Sequence, residues 1–152
     1  MENQSEKAVS GLKHLLSICN DGKEGYKNAA ENVDSADLKA LLHTYSIQRA
    51  EFASSLKTCI HQCGGDPDNN EGGPLGAIHR AWIDIKTALT SNDNKAVLDA
   101  CITGEKAAIE AYDNVLEDTS ISTETRQLLT TQRTGIQESL RNVEALEHQF
   151  TS

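Results

Sequence analysis

Glu105-Lys106-Ala107-Ala108-Ile109-Glu110-Ala111-Tyr112 sets a carboxylate in the middle of an otherwise apolar helix face. At helical spacing Leu98, Cys101, Ile102, Ala108, Ile109, Tyr112 and Val115 share one stripe, and Glu105 lies near its centre. A charge in that position needs a counterpart, either a cationic side chain or a metal ion.

Working outward, the same periodicity extends over most of the chain. From about 6 to 33, Leu12, Leu15, Cys19, Gly22, Tyr26, Ala29 and Val33 recur at alternating three- and four-residue steps, the pattern of a helix seam. Asp34 or Ser35 can cap a second helix, about 35 to 63. There Leu38, Leu41, Leu42, Tyr45, Arg49, Phe52, Leu56, Cys59 and Cys63 share a face, and Gly64-Gly65 stops it. The interval 64–73 has loop composition, and Pro74 sits where a first helical residue would.

A shorter helix is expected over 74–90, with Leu75, Ile78, Ala81, Trp82, Ile85 and Leu89 as its apolar stripe and Trp82 buried. Two long helices follow, about 95–117 and 122–150, the last with Leu128, Gln132, Ile136, Leu140, Val143, Leu146 and Phe150 facing inward. Four long helices and one long crossover predict an all-α single domain over 1–152. Two antiparallel hairpins joined in this way have the ferritin-like connection among four-helix bundles.

An internal repeat supports two equivalent hairpins. A shift of 86 residues lays Leu12 on Leu98, Cys19 on Glu105, Glu24 on Glu110 and Tyr26 on Tyr112. A shift of 87 lays Leu41 and Leu42 on Leu128 and Leu129, and Glu51 on Glu138.

Composition restricts the function. The formal net charge of -9 and the lack of a basic cluster argue against nucleic-acid binding. No apolar run approaches the roughly 20 residues that span a bilayer, and the polar amino terminus lacks a secretion signal's apolar segment, so no membrane partner is expected and a cytoplasmic location is. In that setting the four cysteines read as reduced thiols, with Cys19 or the Cys59 and Cys63 pair as candidates for a redox role.

The seven-residue spacing of Glu105 and Tyr112 resembles that of rubrerythrin-type bundles, in which a ligand Glu precedes an aromatic on the first and third helices. The segments 21–31 (Asp-Gly-Lys-Glu-Gly-Tyr-Lys-Asn-Ala-Ala-Glu), 48–52 (Gln-Arg-Ala-Glu-Phe) and 79–83 (His-Arg-Ala-Trp-Ile) make the chain similar to a bacterial family of ferritin-like four-helix proteins known as a domain of unknown function. The resemblance covers nearly the whole chain and implies the fold.

A di-iron carboxylate site would need a Glu from each of two helices and a Glu-x-x-His pair from each of the other two. Glu-x-x-His occurs nowhere in the sequence. By the resemblance, Cys19 stands where the first Glu belongs and Arg49 and Phe52 where Glu and His belong. The last helix offers Ile136 and Ser139, or Gln137 and Leu140 one residue later. Only Glu105 matches.

The expectation is therefore a degenerate metal site without a cofactor, replaced by a core polar cluster of Arg49, Glu105, Tyr26, Tyr45, Tyr112 and Cys19. Arg49 is expected to pair with Glu105, and the tyrosines to satisfy the remaining lone pairs. A non-catalytic binding or assembly role follows, with a homo-oligomer or another protein as partner. The alternative is a metal-dependent oxidase or iron-handling protein holding iron or manganese around Glu105, with Glu24, Glu51, Glu110, Glu138 or His79 as further ligands. Helical arithmetic sets those four glutamates off the seams, which favours exposed carboxylates, and His79 beside its stripe, which favours a packed boundary residue.

Overall fold

In the computed structural model, residues 4–66 and 94–149 are described and form four helices with no strand among them: α1 (Gln4–Glu31), α2 (Ala36–Gln62), α3 (Asn94–Leu116) and α4 (Thr123–Gln149). Their starts and ends follow local chemistry. Ser35 has extended backbone, and its hydroxyl accepts from the Leu38 N–H, one of the free donors of the first turn of α2. Ser122 does the same for α4 by accepting from Thr125 N–H.

At its far end α2 closes with Gly64 N–H donating to His61 O and Gly65 N–H to Ile60 O. Gly64 adopts φ +85°, which glycine tolerates without steric penalty. The end of α3 is closed from outside the helix. Arg126 donates to Leu116 O at 2.6 Å and to Asp118 O at 2.8 Å, satisfying carbonyls that have no N–H ahead of them.

α1 packs along α2 and α3 along α4, with further contacts from α1 to α3 and from α2 to α4. Going round the arrangement the order is α1, α2, α4, α3, so α2 and α3 lie on a diagonal. Leu12, Leu15, Leu42, Leu56, Ile60, Leu98, Leu129, Ile136 and Val143 are fully buried between the helices. Burying each such side chain contributes about 1.5 to 3 kcal/mol. Close approaches fall at small residues: a Cβ on Gly11 would stand 3.1 Å from Val115 Cγ1, and one on Gly135 would stand 3.0 Å from Phe52 Cζ.

The expected long helices agree with the observed ones to within about two residues at each end, as frayed termini do. One register differs. Leu129, with no exposed surface, is the α4 core residue, and Leu128 is only partly buried. Thr125 and Ser139 complete that face, which is more polar than the leucine spacing implies. The helix expected over 74–90, with His79 and Trp82, lies outside the described residues, as does Phe150. Among the described residues no helix is long and apolar enough to cross a membrane.

Candidate functional site

The centre of the fold is polar, in two layers to which all four helices contribute. In the first layer Arg49 of α2 reaches across the diagonal to Glu105 of α3. Arg49 Nη1 donates to Glu105 Oε1 and Nη2 to Oε2, both at 2.6 Å. The two side chains are 2% and 0% exposed, so this is a fully desolvated, two-pronged ion pair.

Ser139 of α4 ties the pair to a third helix. Its hydroxyl accepts from Arg49 Nη2 at 2.9 Å and donates to Glu105 Oε2. Tyr26 of α1 supplies the fourth side. The Arg49 guanidinium carbon lies 5.4 Å from the centre of the Tyr26 ring, a cation–π distance, and the Tyr45 ring meets Tyr26 edge-on at 5.4 Å. Gly22 leaves room for this arrangement, since a Cβ there would stand 3.4 Å from Arg49 Cγ and Nη1.

The second layer consists of neutral groups. Cys19 of α1 lies 3.2 Å from the Tyr112 oxygen of α3, and Tyr112 donates to Gln132 Oε1 of α4 at 2.7 Å. Because the Tyr112 proton is directed to Gln132, the Cys19 thiol is the donor to Tyr112. Gln132 Nε2 donates in turn to Phe52 O of α2 at 3.3 Å. Buried amides and phenols are costly without partners, and in this layer Tyr112 and Gln132 each have one.

Burial governs the protonation of these groups. It pushes the Cys19 thiol up to about 11. Burial and then the Glu105 charge raise both Cys101 and Tyr26, and burial and then Cys19 raise Tyr112. For Arg49 burial alone would lower the pKa, but the charge and hydrogen bonds of Glu105 outweigh it and the guanidinium stays protonated. Among the described residues the core thus holds one ion pair, Arg49 with Glu105, among neutral thiols and phenols.

All six residues of the expected cluster are buried, but their connections differ from the expected ones in one respect. The tyrosine hydroxyls are not the main partners of Glu105. Tyr112 is taken up by Cys19 and Gln132, and Tyr45 reaches outward to accept from Asn142 Nδ2 at 3.0 Å. Tyr26 is the exception, since its ring packs on Arg49 and its phenol lies beside Glu105. Ser139 instead provides the extra hydroxyl at Glu105. Sequence alone marked it only as a position where a ligand would belong, and a short hydroxyl on a helix carries no signal that separates a core donor from an exposed serine.

Glu24, Glu51, Glu110 and Glu138 are exposed, and none is joined to Glu105. Among the described residues no three of His, Cys, Asp and Glu converge as a metal-binding group. A di-iron centre needs several carboxylates and two imidazoles directed at one volume, whereas among the described residues a single buried carboxylate has both oxygens engaged and a guanidinium beside it. The described residues do not fit that group.

Residues 7–118 match the model of the family described as Domain of unknown function (DUF2383), and the chain belongs to that family. The match contains Cys19, Tyr26, Tyr45, Arg49, Glu105 and Tyr112 and ends before α4, which carries Gln132 and Ser139. No curated protein matches the chain.

Proposed function

We propose that this family member is a ferritin-like four-helix bundle whose metal position has been taken over by the Arg49–Glu105–Ser139 cluster, and that it acts through binding or assembly and not through chemistry at that site. The occupied Glu105 carboxylate carries this reading. With both oxygens held by Arg49 and one also by Ser139, three of its roughly four acceptor positions are already engaged. Metal entry would require expelling a buried guanidinium, which loses two charge-assisted hydrogen bonds and leaves the cation unpaired.

The ferritin-like part of the proposal is supported by the hairpin pairs α1–α2 and α3–α4, the sequence repeat between them and the spacing of Glu105 and Tyr112. On this reading the protein has no resident iron or manganese, and its surfaces engage a second copy or another protein. The test is elemental analysis of full-length protein purified without chelator and dialysed extensively. Far less than one iron, manganese or zinc per chain is expected. Stoichiometric metal that disappears in Glu105→Gln would overturn the proposal in favour of a metal-dependent oxidase or iron-handling protein. Sedimentation velocity then asks whether the metal-poor chain self-associates.

A further inference from the structure

Two of the four cysteines stand apart from the polar core. Cys19 and Cys101 are buried, whereas Cys59 and Cys63 are partly exposed at the carboxyl end of α2. They occupy one helical turn, closed by the bond from Cys63 N–H to Cys59 O at 3.0 Å. We propose that Cys59 and Cys63 form a two-thiolate site for a soft monovalent cation, copper(I).

Geometry favours an ion between these sulfurs over a bond between them. Residues four apart on a helix hold their Cβ atoms about 5 to 6 Å apart. A disulfide needs about 3.5 to 4.5 Å, so closing one would unwind the turn. An ion held linearly by two sulfurs, at a zinc-like bond length of about 2.3 Å each, spans about 4.5 Å between the sulfurs. Staggered χ1 rotations can supply that separation without moving the backbone.

The electrostatics disfavour free thiolates at this position. The carboxyl end of a helix carries partial negative charge, which disfavours a free thiolate and favours a cation. Burial and then the neighbouring Cys63 raise the Cys59 thiol, and a hydrogen bond with Thr125 at the start of α4 offsets only part of that rise. These features oppose a nucleophilic, oxidant-sensing thiolate. A thiophilic copper(I) ion displaces both protons itself and leaves the two sulfurs with one net negative charge between them instead of the two of a free dithiolate.

The donor set selects the ion. Two thiolates suit copper(I), whereas structural zinc takes four ligands, and His61 between the two cysteines points to a different, exposed face. On binding, two S–H bonds break and two S–Cu bonds form. Both protons go to solvent, copper stays in the +1 state and no electron is transferred, so no oxidant is required.

The test is an anaerobic titration of the reduced full-length protein with copper(I) against bicinchoninate as a coloured competing chelator. The wild-type chain is expected to withdraw one copper per chain. That equivalent is lost in Cys59→Ser, in Cys63→Ser and in the double variant, and kept in Glu105→Gln, so the result is separable from the fate of the central cluster. Bound copper should also protect Cys59 and Cys63 of the wild-type chain from alkylation, a readout that does not depend on how the serine variants fold. Absence of competition, copper retained by the double variant, or half an equivalent per chain with a doubled mass would each overturn the proposal.

Discussion

Removing one member of the central ion pair should be among the most damaging single changes available to this protein, and removing both should be far milder. Arg49→Ala deletes two charge-assisted bonds to Glu105, the bond to Ser139 and the contact with Tyr26, and leaves a carboxylate with no exposed surface beside a void. Each bond to a charged group contributes about 1.5 to 3 kcal/mol, but solvation of the unfolded pair offsets much of the sum. Broken buried pairs cost about 3 to 5 kcal/mol, the value expected here. For a chain of this length that corresponds to a fall in Tm of about 6 to 20 °C.

Glu105→Ala should fall in the same range, since it strands the guanidinium. The double variant Arg49→Met with Glu105→Leu has no buried charge to strand and should recover most of the loss. The assay is urea denaturation followed by far-UV circular dichroism for the wild type, Arg49→Met, Glu105→Leu and the double variant, the four members of the cycle. A coupling energy below about 0.5 kcal/mol, the usual error of additivity, would refute the account of Glu105 given above.

Stability should also fall in alkali. Folding raises the Cys19 thiol from 9.0 to about 11, so its contribution is complete below pH 9 and disappears as pH rises through 11. Thermal melts from pH 7 to 11 should show this decline, on the order of 2 to 3 kcal/mol from Cys19 alone, and Cys19→Ala should flatten that part of the curve. Tyr26 and Tyr112, raised above 10, add to the loss at the upper end.

Tyr112→Phe should cost about 1 to 3 kcal/mol by leaving the Gln132 oxygen and the Cys19 thiol without their partner, and Gln132→Leu in the same chain should restore part of it, as denaturant midpoints would reveal. Gly64→Ala, at φ +85°, should destabilise by about 1 to 2 kcal/mol although nothing lies near its Cβ, with Gly64→Asn milder in the same melts. Ser35→Ala removes the cap of α2 and should cost about 1 kcal/mol, read by the loss of helical signal on heating.

The helices were legible in the sequence because their apolar residues recur at one period and their ends carry local signals, such as Ser35 before α2 and Gly64 after it. The diagonal pair was legible for a related reason: Arg49 and Glu105 each interrupt an apolar stripe, and two opposite charges on inward faces have few places to go. Ser139 and the partners of the tyrosines were not legible. A phenol on an inward face can turn to any of several acceptors, and the choice depends on the rotation of neighbouring helices by a few tens of degrees. The exchange of Leu128 for Leu129 has the same origin, since adjacent leucines near one stripe are separated only by helix rotation, which periodicity does not set.

The spacing of the two polar layers gives them a role that stability alone does not. Cys19 and Tyr26, Glu105 and Tyr112, and Gln132 and Ser139 are each seven residues apart, so both layers lie on the same heptad positions of α1, α3 and α4. An apolar seam with that repeat is nearly degenerate, because a helix displaced by seven residues, about 10.5 Å, again presents aliphatic groups to the core. The polar layers remove the degeneracy. Displacing α3 by one heptad so that Glu105 takes the place of Tyr112 would set Glu105 against Cys19 and Gln132, with no cation in reach, and would set Leu98 against the Arg49 guanidinium. That arrangement leaves two buried charges unpaired, a penalty of several kcal/mol, whereas the native register satisfies both layers at once. A charged pair that contributes little against an apolar alternative can therefore still decide which of several similar packings the chain adopts, and the one it selects brings Arg49 across the diagonal to the only buried carboxylate among the described residues.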